Sequence, residues 1–182
     1  MTENLYDIDV RTIEGNETKL GDYRGQVLLI VNVASKCGLT PQYEALERLH
    51  ERYEGQGLRV LGFPANDFLE QEPGSDAEIA EFCTTRFNVQ FPMFSKISVT
   101  GPEKHQLYRH LQAEAPATRR REEMEQSLAG YNIQATEAPE VVWNFEKALV
   151  NRDGDVVCRY SPTVTPEDPE LVSAIEAALA RD

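Results

Sequence analysis

Gln26-Val27-Leu28-Leu29-Ile30-Val31-Asn32-Val33-Ala34-Ser35-Lys36-Cys37-Gly38-Leu39-Thr40-Pro41 is the stretch that decides the fold of this chain. Residues 26–33 run almost without a polar break and are β-branched at Val27, Ile30, Val31 and Val33. Continuous rather than alternating hydrophobicity predicts a strand buried on both faces, as at the centre of an α/β sheet. Thr40-Pro41 then predicts a helix start, with Thr as N-cap and Pro at the first helical position. Cys37 falls between the two. At that junction, outside the carboxyl end of a parallel strand, ligand and catalytic groups gather.

Working outward, Leu5–Val10 and Glu17–Leu20 flank the turn signal Glu14-Gly15-Asn16 and predict a hairpin. Tyr43, Leu46, Leu49 and Tyr53 recur near helical spacing until Gly55 and Gly57 end the helix, and Leu58–Phe63 predicts a second strand. Ser75-Asp76-Ala77-Glu78 is a capping box, and the helix behind it aligns Ile79, Phe82 and Cys83 on one face. Phe91–Val99 contains a further expected strand, followed by a helix at Glu103–Gln112 with Leu107 and Leu111 inward. Ala113–Glu140, with the block Arg119-Arg120-Arg121-Glu122-Glu123, reads as a surface insertion carrying one polar helix; such a charge block is usually a solvated face. Phe145–Val150, the turn Asn151-Arg152-Asp153-Gly154 and Asp155–Tyr160 form a second hairpin. Thr165-Pro166-Glu167-Asp168 caps a last helix with Leu171, Ile175 and Leu179 aligned. A parallel β-α-β unit followed by a hairpin and a final helix is the thioredoxin-like arrangement. The expected fold is therefore α/β: a mixed central sheet flanked by helices, with an N-terminal hairpin and an insertion at about 113–140, in one domain spanning residues 1–182.

Composition narrows the function. Of 182 residues, 41% are hydrophobic and 27% charged, which excludes a long disordered chain. Eighteen Lys and Arg against 31 Asp and Glu give a net charge of −13, which argues against nucleic-acid backbones and anionic lipid as partners. Three cysteines, Cys37, Cys83 and Cys158, are too sparse for a disulfide framework. Met1–Val10 carries Glu3, Asp7 and Asp9 with no basic or apolar leader pattern, and Val27–Val31 is far short of the ~20 residues of a membrane span. A soluble protein of the cytoplasm, without membrane insertion, is expected. His50, His105 and His110 show no metal-ligand spacing and no phosphate-cradling glycine loop is present, so no metal or organic cofactor is expected.

The cysteine at the strand–helix junction has the residue pattern of a reactive thiol. The helix N-terminus and Lys36 both favour thiolate, and Gly38 lets a substrate approach the backbone closely. A buried structural thiol in a loop is the alternative reading.

Asn32-Val33-Ala34-Ser35-Lys36-Cys37-Gly38-Leu39-Thr40 closely resembles the active-site segment of the glutathione peroxidase family. Three more segments agree in order: Leu61-Gly62-Phe63-Pro64-Ala65-Asn66-Asp67-Phe68 with Gln71-Glu72-Pro73-Gly74, then Phe91-Pro92-Met93-Phe94, then Trp143-Asn144-Phe145-Glu146-Lys147. Together they span most of the chain outside its ends and the insertion. The resemblance implies a cysteine-type peroxidase acting on hydrogen peroxide and organic hydroperoxides. Cys37 would take the place held by selenocysteine in some relatives and be oxidised to a sulfenic acid. Trp143 and Asn144 match the family's neutral hydrogen-bond partners of that sulfur, which stabilise a thiolate without titrating themselves.

The chain departs from the family at Asp67, where many members carry a glutamine taken to donate to the sulfur. An ionised Asp only accepts, and its charge opposes a thiolate. The options are that Asp67 turns away, that it stays protonated, or that Asn66 or water replaces the donor. By resemblance Cys83 is a resolving cysteine, which would form a disulfide with Cys37 and be reset by thioredoxin. Its place beside Ile79 and Phe82 also fits a core thiol. Both hold if the helix opens locally. The family often carries another cysteine at the position of Ala65, and Cys158 reads as structural. Glutathione acting directly on the sulfenic acid, or a peroxide sensor passing oxidation to a partner protein, are the rival functions. A monomer is the state implied by the resemblance.

Overall fold

The computed structural model describes residues 4–181. The central strand is β3 (Val27–Val33), whose seven residues are all buried. It pairs in parallel with β4 (Leu58–Pro64) on one side and antiparallel with β6 (Lys147–Val150) on the other. Two short strands come first, β1 (Asp9–Arg11) and β2 (Glu17–Lys19), which form the N-terminal hairpin as a separate antiparallel pair. β7 (Val156–Tyr160) follows β6 through the hairpin turn, and β5 (Thr118–Arg119) lies parallel at its outer edge. The sheet order is β4-β3-β6-β7-β5, a mixed sheet of the expected thioredoxin-like kind.

Among the described residues five α-helices accompany it: α1 (Gln42–Tyr53), α2 (Asp76–Phe87), α3 (Gln106–Glu114), α4 (Arg121–Gly130) and α5 (Pro169–Ala180). The apolar stripes read from the sequence are the buried faces: Tyr43, Leu46, Leu49 and Tyr53 on α1, and Leu171, Ile175 and Leu179 on α5. The capping box of α2 forms in both directions, while Asp168 caps α5 by accepting from the Glu170 N–H at 2.9 Å. The faces differ in depth. On α2 only Ile79 and Cys83 are fully buried, so this helix is held to the body by much less apolar contact than α1.

Three local expectations are corrected. Thr40 is not the N-cap of α1, because its hydroxyl is used across the preceding loop. It accepts from the Cys37 N–H at 2.9 Å and donates to the Ala34 carbonyl at 2.8 Å, and the helix starts at Gln42. Residues 91–99 do not form a strand. They touch the sheet through single bridges, Gly62 with Met93 and Ala65 with Ile97. A Cβ at Gly62 would meet the Met93 sulfur at 2.6 Å and the Phe91 ring at 3.1 Å, so the close crossing of this segment over β4 depends on glycine.

Residues 113–140 lie at the surface and carry one α-helix, as expected, and the third correction concerns only their charge block, which is not simply a solvated face. Arg119 joins the sheet through β5, and Arg121 is buried. The Arg121 guanidinium donates to the Glu140 carbonyl at 2.7 Å, to the Thr136 carbonyl at 2.5 Å and to Glu125 at 3.1 Å. Arg120 pairs with Glu123 and Asp168. The basic block is a set of tethers that fastens α4 to the body.

Candidate active site

β3 ends at Val33, and the loop beyond it is cinched by the two Thr40 hydroxyl bonds, which fix the backbone on either side of Cys37. The Leu39 N–H donates to the Cys37 sulfur at 3.3 Å. Cys37 lies on a cleft of about 360 Å³ that it shares with Gly38, Leu39, Gln71 and Trp143.

Trp143 lines this cleft, and Asn144 follows it without lining the cleft, because Asn32, a fully buried polar residue in the middle of the apolar strand, grips both ends of their turn. Its side-chain amide donates to the Trp143 carbonyl at 3.1 Å, and its backbone carbonyl accepts from the Phe145 N–H at 2.6 Å. Phe145, completely buried, is held at φ 70°, a left-handed conformation that a bulky residue adopts only where its surroundings impose it. The Trp143 indole packs against Phe68 with ring centroids 5.1 Å apart and forms one side of the cleft. Asn144 is wholly buried and donates from Nδ2 to Gln71 Oε1 at 3.0 Å.

Gln71 is the residue that sequence reasoning missed. The loop after β4 makes a tight turn with Leu69 and Glu70 both at φ 52°, and its end is tied to the Cys37 loop by the Lys36 N–H donating to the Gln71 carbonyl at 3.0 Å. This turn swings the Gln71 carboxamide into the cleft beside Cys37. With Oε1 engaged by Asn144, its NH₂ remains as a neutral donor at the cleft. The signal was present in the sequence: a carboxamide four residues after Asp67, in the same loop.

Asp67 turns away. Its carboxylate accepts from Ser98 Oγ at 2.9 Å and from the Val99 N–H at 2.6 Å. An ionised carboxylate finds two donors there, whereas beside a thiolate it would find only like charge. Asn66 does not line the Cys37 cleft either; its Oδ1 accepts from the Glu72 N–H at 2.8 Å and closes the same loop.

Cys83 is buried on α2 and lies on a different cleft, among Ile13, Tyr23, Val89 and Phe91. Cys37, Cys83 and Cys158 are all free thiols. Burial pushes the Cys83 thiol up to about 11, opposed by the Tyr43 hydroxyl and reinforced by the charge of Glu72. Glu72 lies at 1% exposure between Ser35 and α2, and burial raises its carboxyl to about 7 against the pull of Ser35 and Lys96. Cys158 is half-buried on β7, away from both clefts. Among the described residues no group of three or more His, Cys, Asp or Glu side chains is placed to hold a metal ion. Nor is any helix there long and apolar enough to cross a membrane.

Comparison with known proteins gives consistent results. Residues 5–112 match the family model described as glutathione peroxidase. The thioredoxin/glutathione peroxidase BtuE of Escherichia coli (strain K12) is 50% identical over 185 residues, covering 100% of both chains. The crystal structure of Trgpx in apo form superposes with a TM-score of 0.73 at 32% identity, covering 100% of this chain and 98% of that one. A thioredoxin-family thiol:disulfide interchange protein from Chlorobium tepidum superposes with a TM-score of 0.63, covering 99% of each chain. At 11% identity it shares the fold alone.

Proposed function

The chain belongs to the glutathione peroxidase family, a family of oxidoreductases, and from that premise we propose that Cys37 is the peroxide-reducing nucleophile of a thiol peroxidase. The Cys37 thiolate attacks one oxygen of the peroxide and the O–O bond breaks. The second oxygen takes up a proton and leaves as water or an alcohol. The sulfur, oxidised by two electrons, becomes a sulfenic acid. Gln71 and Trp143 face that reaction as neutral donors, and Asn144 holds the Gln71 carboxamide in place. The observation that carries this reading is the Cys37 sulfur, hydrogen-bonded by the Leu39 N–H, on a cleft shared with those two donors.

In the second step Cys83 attacks the sulfenic sulfur. A disulfide forms, the sulfenic oxygen leaves as water, and a dithiol reductant then opens the disulfide. Thioredoxin is the reductant we favour. The carboxylates of glutathione call for basic partners, and no Lys or Arg lines the Cys37 cleft. The E. coli relative carries both reductants in its name. One observation favours the rival reading, in which glutathione reacts directly: Cys83 is buried on a cleft apart from Cys37. Three free thiols suit a reducing compartment, and a cytoplasmic monomer remains part of the reading.

The test is to treat the protein with one equivalent of peroxide and map disulfides by mass spectrometry, then to follow NADPH consumption with the thioredoxin and glutathione systems in parallel. A Cys37–Cys83 bridge with faster thioredoxin turnover is expected. Absence of the bridge together with faster glutathione turnover gives the step to glutathione instead. Turnover too slow to clear peroxide with either reductant indicates a sensor.

A further inference from the structure

The turn that carries Trp143 is held a second time, apart from Asn32, by the side chain of Glu146. Glu146 Oε1 accepts from the Val142 N–H at 3.2 Å and from the Thr118 hydroxyl at 3.1 Å. Its other oxygen, Oε2, accepts from Arg159 Nε at 3.1 Å and Nη2 at 2.7 Å. Glu146 is 4% exposed and Arg159 1%. With each oxygen accepting two hydrogen bonds, the carboxylate cannot rotate without losing some of them, and the Val142 N–H is fixed immediately before Trp143.

Arg159 reaches further. Its Nη1 donates to the Ala115 carbonyl and to the Pro139 carbonyl, both at 2.9 Å. These are the two ends of the segment 115–139, which contains α4. Met124, Ser127, Leu128, Tyr131 and Ile133 of that segment line the Cys37 cleft together with Trp143. One guanidinium therefore ties β7 to both ends of the segment and, through Glu146, to the Trp143 turn. Burying two charges costs about what their attraction returns, so stability alone does not account for the pair. Its hydrogen bonds fix directions that apolar packing leaves open.

We propose that the Arg159–Glu146 pair is the positioning element of the Cys37 cleft, with Glu146 setting the Trp143 indole and Arg159 setting the α4 segment relative to the sulfur. Neither residue lines the cleft, so both act through the groups they hold and neither touches the peroxide. An indole N–H serves the reaction only where it is aimed, and a displacement of about 1 Å costs up to about 100-fold in rate. This role rests on Cys37 being the peroxide-reducing group.

Trp143 is the only tryptophan of the 182 residues, so the emission of the protein reports the surroundings of that indole. The experiment compares the wild-type chain with Arg159→Lys and with the double variant Glu146→Leu/Arg159→Met, which removes both charges and leaves none unpaired. Each reduced protein is read twice without denaturant: by tryptophan emission with acrylamide quenching, and by stopped-flow oxidation of Cys37 with hydrogen peroxide. The double variant should emit at longer wavelength, quench more strongly and oxidise about ten- to 100-fold more slowly. In Arg159→Lys a single ammonium cannot meet the carboxylate and both carbonyls at once, so both readings should move the same way by a smaller amount. That variant carries the test alone if the double variant does not fold. Wild-type emission, quenching and rate in the folded variants overturn the proposal. So does a change in one reading without the other, because the loss would then not run through the indole. A wild-type Cys37 inert to peroxide refutes the peroxidase reading instead, and emission and quenching still decide whether the pair positions Trp143.

Discussion

If Cys83 resolves the oxidised Cys37, α2 must open first, and loosening α2 should make resolution faster. Cys83 is 2% exposed and on a different cleft from Cys37. With burial holding its thiol near 11, it is almost entirely protonated at neutral pH and a poor nucleophile where it sits. Opening the helix removes both obstacles, because a thiol returned to water regains its ordinary acidity. The perturbation is Ser75→Ala. Ser75 Oγ accepts from the Glu78 N–H at 3.2 Å and its own N–H donates to Glu78 Oε1 at 3.0 Å, so the substitution deletes the first of these bonds at an exposed position without leaving a cavity. Loss of an N-cap costs about 1 kcal/mol, which raises the open population of α2 roughly five-fold. The assay mixes reduced protein with one equivalent of peroxide, quenches with an alkylating reagent at intervals and counts sulfenic acid against disulfide by mass. Disulfide formation should speed up about five-fold, with the oxidation of Cys37 unchanged. Hydrogen exchange across residues 76–87 supplies the control. If those amides exchange faster and the disulfide forms at the wild-type rate, opening of α2 does not gate resolution and the reasoning is refuted.

Three further outcomes are expected. Gln71→Ala should slow the reaction of Cys37 with peroxide about 100-fold, the usual loss for one preorganised donor, as measured by stopped-flow oxidation of the reduced protein. Asp67→Ala should leave that rate within two-fold or so while costing about 1–3 kcal/mol in urea unfolding, because it strips acceptors from Ser98 and the buried Val99 N–H; a large kinetic loss with intact stability would return Asp67 to the site. Glu72 holds its proton up to about 7, against an ordinary 4.5, so its contribution to stability is complete below pH 4.5 and is lost as pH rises to 7, by about 3 kcal/mol in all. Glu72→Gln should flatten the stability curve across that window and be the more stable protein above pH 7; parallel urea midpoints at pH 4.5, 6 and 7.5 would contradict this.

What was legible in the sequence depended on how local the determining interactions are. The run at 27–33, the capping box at Ser75 and the apolar stripes of α1 and α5 state their own secondary structure, and the sheet follows from their order. The position of Cys37 between a strand and a helix was legible for the same reason. Trp143 and Asn144 came from the motif, and the grip of Asn32 that positions them is a long-range contact no spacing rule reports. Of the options left open for Asp67, the structure has the one in which it turns away, and the sequence could not choose because a residue's side in a loop is set by its backbone. Two consecutive left-handed residues, Leu69 and Glu70, are neither Gly nor Asn, and they send the carboxamide of Gln71 to the cleft. Residues 113–140 misled because charge was read as solvation. Arg121 is buried, with its guanidinium on two carbonyls, an arrangement set by partners from 15 and 19 positions away. Met124 and Leu128 on α4 and Tyr131 just after it were not singled out by the sequence reading, and only the tertiary fold says which cleft they face.

The most direct measurement is peroxide consumption by Cys37→Ser beside the wild-type chain, followed as NADPH oxidation in the thioredoxin-coupled assay, with the oxidation state of each cysteine read by mass spectrometry. The variant should consume peroxide no faster than buffer, and in the wild type substoichiometric peroxide should oxidise Cys37 before Cys83 or Cys158. Activity retained in Cys37→Ser, or first oxidation at another cysteine, would contradict the assignment of Cys37 as the peroxide-reducing thiol.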